Sequence, residues 1–65
     1  MTTYLTTAIA FNDADLVWHH ALIDAFGRDA GQARYEPRGR GEDGTPLRAA
    51  YDAREAARMA WQANR

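Results

Sequence analysis

The first third of the chain carries two overlapping apolar patterns. Over residues 3–11, Leu5, Ile9 and Phe11 share one parity with Thr3 and Thr7, while Tyr4, Thr6, Ala8 and Ala10 fill the other. Thr, Tyr, Ile and Phe suit a pleated, half-buried surface, so this stretch predicts a β-strand; an early start to the following helix is its rival. From about residue 13 to 26 the spacing turns helical. Leu16, Trp18, Leu22, Ile23, Ala25 and Phe26 cover a broad apolar arc, and Asp13, His20 and Asp24 form a narrow polar stripe. Asn12 or Asp13 can cap that helix, Asp15 would sit in its first turn, and Gly27 is a natural residue for the position just past its end.

Punctuation dominates the centre. Gly31, Gly39, Gly41 and Gly44 accompany Pro37 between residues 28 and 44. Within this stretch residues 32–36 predict a short second strand that Pro37 would end, and residues 38–44 an exposed loop. The clearest local signal is Thr45-Pro46, a capping residue followed by proline at the first helical position. It predicts a second helix from Pro46 to about Ala63, with Ala49, Ala50, Ala53, Ala56, Ala57, Ala60 and Trp61 on one face and Arg48, Glu55, Arg58 and Gln62 on the other. Together these elements predict a small single α+β domain over residues 1–65, ordered strand, helix, short strand, long helix. The alternative is an αα-hairpin with an extended N-terminal arm.

Composition limits what such a domain can do. Only nine of the 65 residues are Leu, Ile, Val or Phe, and there is no Cys. A domain of this size buries about 60% of the surface its unfolded chain exposes, so the core is thin and a deep substrate cavity is not expected. Without Cys, neither a disulfide framework nor a zinc ribbon can form. The chain lacks a basic segment leading into an apolar leader and any apolar run near the ~20 residues of a membrane span, so a cytoplasmic protein with no membrane partner is expected.

All eight basic residues are Arg. Their planar forks favour bidentate pairing and aromatic stacking over diffuse attraction. The net charge of −1 argues against a polycation that coats nucleic acid, yet the charge is divided. Residues 1–33 carry Asp13, Asp15, Asp24 and Asp29 against Arg28 alone, which is −3; residues 34–65 carry seven Arg against five carboxylates, which is +2.

No constellation carries a specific catalytic signature. Asp15/His19 and His20/Asp24 are helical i,i+4 pairs, but His19 and His20 diverge by about 100° around a helix and cannot converge on one metal. No catalytic residue, metal site or cofactor is assigned. Arg34, Arg38 and Arg40 near Tyr35 would suit a nucleic-acid-associated accessory protein, although Glu42 and Asp43 follow immediately and offset them. Arg48/Asp52 and Glu55/Arg58 are ordinary helix pairs, Arg54 and Arg58 are like charges one turn apart, and Trp61 is placed to pack on the first helix or the sheet or, if exposed, to anchor a partner. The acidic residues Asp13, Asp15, Asp24, Asp29, Glu42 and Asp43 are the candidate partner-binding set, able to occupy a site built for phosphates.

The chain as a whole resembles the small anti-CRISPR proteins of phages and mobile elements. The likeness spans all 65 residues and rests on general character: the absence of Cys, the opening Met-Thr-Thr-Tyr-Leu-Thr-Thr-Ala-Ile-Ala and the closing helix that starts Thr-Pro-Leu-Arg-Ala-Ala-Tyr-Asp-Ala-Arg-Glu. It is most similar to inhibitors of type I, multi-subunit surveillance complexes. The resemblance implies a non-enzymatic, stoichiometric binder acting in the cytoplasm of an infected bacterium, where it blocks target-DNA recognition or nuclease recruitment. Its partner would be a protein complex of bacterial defence, with no direct nucleic-acid contact. Such proteins share no motif from which residue roles transfer. Many are strongly acidic; this chain is near neutral, which sets it apart from pure DNA mimics. A homodimer would add burial that so small a core lacks.

Overall fold

Two long helices make up most of the chain in the computed structural model, which describes residues 2–64. Helix α1 spans Thr2–Phe26, a short α2 spans Ala30–Ala33 and α3 spans Pro46–Ala63; 3₁₀ turns at Gly27–Asp29 and Pro37–Arg40 flank α2. No strand occurs among the described residues, so the α+β expectation is overturned and the architecture is that of the αα-hairpin alternative, with a helical arm in place of an extended one.

Residues 3–11 are helical for a physical reason their alternation conceals. The helix penalty of Thr and Ile relative to Ala is at most ~0.7 kcal/mol per residue, and Ala8 and Ala10 favour the helix outright. Tertiary contact then decides. The Phe11 ring stacks on Trp61 of α3 at 5.5 Å between centroids, and the Arg54 guanidinium lies 5.2 Å from the centre of the same ring. With a partner for Phe11 at that height, the helix runs through Asn12 and Asp13 instead of starting there. The second predicted strand, residues 32–36, is also absent. Gln32 and Ala33 belong to α2, and the amides of Arg34, Tyr35 and Glu36 reach back to Ala30, Gln32 and Ala33 in helical-type turns.

Other boundaries follow the sequence closely. Gly27 has φ +57° and ends α1 where a side chain would be strained. Thr45 is the N-cap of α3: its hydroxyl accepts from the Arg48 amide at 3.2 Å and donates to the Glu42 carbonyl at 2.6 Å. Helix α3 runs antiparallel to α1, since Phe11 meets Trp61, Asp15 meets Arg54 and Trp18 meets Tyr51.

The core is small and lies toward the loop end of the hairpin. Trp18 and Leu22 from α1, Ala30 and Ala33 from α2, and Leu47 and Ala50 from α3 are buried, with Ala21, Phe26 and Tyr51 packed against them. The broad apolar arc expected on residues 13–26 therefore splits in two. Trp18, Leu22 and Phe26 point inward, while Leu16, Ile23 and Ala25 remain exposed. The alanine face of α3 splits likewise. Ala50 is buried and Ala57 and Trp61 half-buried, but Ala49, Ala53, Ala56 and Ala60 face away from α1.

Candidate functional site

A single carboxylate organises the inner face. Asp15 Oδ1 accepts from Arg34 at 2.7 Å and from Arg54 at 2.7 Å, joining α1 to the segment after α2 and to α3. Both guanidiniums also lie over the Trp18 ring, at 4.8 and 4.9 Å from its centre. The indole Nε1–H donates to the Gly39 carbonyl at 2.9 Å, a buried bond that ties the 3₁₀ turn at Pro37–Arg40 to α1. Gly39 must approach closely, because a methyl group there would run into the Ala33 carbonyl oxygen. Partial burial pushes the Asp15 carboxyl up, but the hydrogen bonds from Arg54 and Arg34 and their charges outweigh it, leaving its pKa below the ordinary value.

This network continues along α3. Glu55 accepts from Arg58 at 2.7 and 3.1 Å and from Arg54 at 2.7 Å. The Arg58 hydrogen bond is the main cause of its lowered pKa, ahead of the opposing effect of burial. The like charges of Arg54 and Arg58 are thus bridged by a shared acid. The expected Arg48/Asp52 pair forms at 3.0 Å, and Arg48 also approaches Asp43 at 3.6 Å.

Beside the core, an open groove of about 710 Å³ has an apolar floor of Ala21, Ala25, Phe26, Pro37 and Leu47 and a rim that includes Asp24, Arg38 and Glu42. The Arg38 guanidinium stacks 5.0 Å from the Phe26 ring centre and its Nε donates to Glu36 at 2.6 Å. That bond is the main cause of a lowered Glu36 pKa. The groove can take an apolar side chain, with a cation beside it at Asp24 and Glu42.

The six acidic candidates do not converge. Asp15 faces inward and is held by two Arg. Asp13 and Asp24, eleven residues apart, share the outward side of α1. Asp24 and Glu42 meet at the groove rim, Asp29 lies in the 3₁₀ turn after α1, and Asp43 stands at the start of α3 near Arg48. Asp13, Asp24, Asp29 and Glu42 form no ion pair among the described residues.

Of the arginines suited to nucleic acid, Arg34 and Arg38 are committed to Asp15 and Glu36, and only Arg40 extends without an ion pair among the described residues. The His19 and His20 rings lie 6.2 Å apart, and no group of three metal-ligating side chains occurs among the described residues. No described helix is long and apolar enough to cross a membrane.

The groove floor had no sequence signal, because its residues come from the end of α1, the central turn and the start of α3. The Asp15 hub was partly visible as an acid on a helix opposite an Arg-rich half, but which arginines it meets is set by the closing of the hairpin. Comparison of the chain with protein-family models, with known proteins and with solved structures yields no match.

Proposed function

We propose that this chain is a non-enzymatic, stoichiometric binding protein whose partner is a nucleic-acid-processing complex of bacterial defence, a type I CRISPR–Cas surveillance complex, and that it blocks target-DNA recognition. The observation that carries the reading is the way charge is sorted. Helix α1 has three Asp and no Arg. The fold draws Asp15 inward to neutralise Arg34 and Arg54, leaves Asp24 and Glu42 at the rim of an apolar groove, and leaves Asp13 exposed about three turns away on the same side of α1. A surface of unpaired carboxylates next to an apolar slot is matched to a partner that presents Arg or Lys around an apolar anchor, as a DNA-binding subunit does. Most Arg side chains, by contrast, are consumed within the chain, which supports a protein partner over direct contact with phosphates.

The test is a gel-shift assay with type I surveillance complexes and labelled target DNA, with the protein pre-bound at near-stoichiometric amounts. DNA binding is expected to be lost, and to be restored by the combined variant Asp13→Lys, Asp24→Lys, Glu42→Lys, whose circular dichroism should match the parent. Unchanged DNA binding together with absence of co-migration overturns the reading. Co-migration with undiminished DNA binding overturns the blocking step.

A further inference from the structure

The inner face of α1 is occupied by α3 and the central segment, but its outer face carries a second apolar stripe. Leu5, Ile9, Leu16 and Ile23 are between 45% and 59% exposed. With Asn12 and His19 they are spaced four, three, four, three and four residues apart. That is the 3.5-residue period of a helix pairing with another helix along its length, in which Ile9, Leu16 and Ile23 take one seam position and Leu5, Asn12 and His19 the other. We propose that a second copy of this chain covers the stripe, the two α1 helices running parallel about a two-fold axis so that each seam residue meets its own copy.

Three features select a second copy. The polar seam residues are self-complementary, since an amide carries both donor and acceptor and a neutral imidazole carries one of each, so Asn12 can bond Asn12 and His19 can bond His19 across the axis. β-branched Ile at two of the three first seam positions suits a two-stranded pair, and the polar residues at the second, Asn12 and His19, fix register at a cost in stability. The flanks also fit. In parallel pairing, the residue before each first seam position faces, on the other helix, the residue five further along. Ala8 then faces Asp13, and Asp15, whose carboxylate is turned inward onto Arg34 and Arg54, is kept off the seam, so no two carboxylates oppose each other.

The footprint is adequate. The seam follows the molecule's longest dimension, 39 Å, and the ~800 Å² per partner of a standard interface is under a fifth of the 4559 Å² of accessible surface. A lipid occupant fits poorly, because α1 has no Lys or Arg to meet anionic headgroups. The proposal is independent of the CRISPR–Cas reading, and its test uses the protein alone.

Sedimentation equilibrium of the full chain over micromolar to millimolar concentration should give a mass rising from 7.3 kDa to twice that value. Leu16→Glu should weaken association by ~100-fold or more while helicity and the near-ultraviolet signal of Trp18 persist. Because the chain has no cysteine, Ile9→Cys gives a clean register test: mild oxidation should yield a covalent dimer, and Ile23→Cys the same. A mass fixed at 7.3 kDa, or a dimer unaffected by Leu16→Glu, overturns the proposal. A dimer in which neither cysteine variant cross-links overturns the parallel arrangement, and a monomer that co-sediments with lipid vesicles assigns the stripe to a membrane surface instead.

Discussion

Replacing Asp15 by Asn removes one charge and leaves the shape of the side chain almost unchanged. Two charge-assisted hydrogen bonds, each contributing ~1.5–3 kcal/mol, converge on Asp15 Oδ1. The carboxylate side chain is 31% exposed and the two guanidiniums 19–23%, so solvent screens part of that gain. The Asn amide oxygen can still accept a hydrogen bond, at roughly half the strength of a charged one. What remains is a loss of ~1–3 kcal/mol, from a total of roughly 3–10 kcal/mol for a domain of this length. Two guanidiniums over one indole, with no anion between them, account for the upper part of that range. Urea unfolding followed by tryptophan fluorescence and far-ultraviolet circular dichroism would read the loss as a midpoint lower by ~1–3 M at a slope near 1 kcal/mol per M. A variant within ~0.5 kcal/mol of the parent, the usual range of ordinary surface substitutions, would show that the hub contributes no net stability. The pH dependence supplies a second check. Because folding lowers the Asp15 pKa, its contribution is fully present above the ordinary carboxylate value and is lost as pH falls through the lowered one. The gap between parent and Asp15→Asn should therefore be constant near neutrality and close in acid; a gap that stays the same into strong acid refutes the linkage.

Other changes probe the same architecture. Gly39→Ala forces a methyl group against the Ala33 carbonyl and should cost ~1–3 kcal/mol, visible as a lower urea midpoint; an unchanged midpoint would mean that the turn relaxes freely. Trp18→Phe keeps a ring beneath Arg34 and Arg54 but leaves the buried Gly39 carbonyl unpaired, for a loss of ~1–3 kcal/mol, with faster amide exchange in residues 37–41 as its signature. Thr45→Ala removes the α3 cap and should lower stability by ~1 kcal/mol, whereas Thr45→Ser, which keeps the hydroxyl, should stay close to the parent in thermal melts.

Local chemistry made some elements legible and hid others. Thr45-Pro46 and Gly27 act through their own backbone preferences, so the start of α3 and the end of α1 could be read directly. The Arg48/Asp52 and Glu55/Arg58 pairs follow from helix spacing alone, and the thin core follows from nine large aliphatic and phenyl side chains in 65 residues. Residues 3–11 could not be settled that way, because Leu5, Ile9 and Phe11 fit a period of two nearly as well as a helical one. Only the Phe11–Trp61 stack, joining positions fifty residues apart, decides between them. The two apolar faces of α1 had merged into one broad arc for the same reason: a helical repeat says which residues share a side, and not which side another helix will cover. The acidic set was readable as composition, but its division into one carboxylate held by Arg34 and Arg54 and others turned outward depended on how the hairpin closed. Charge and periodicity are properties of the chain; pairing and exposure belong to contacts between distant segments, which exist only once the tertiary structure has formed.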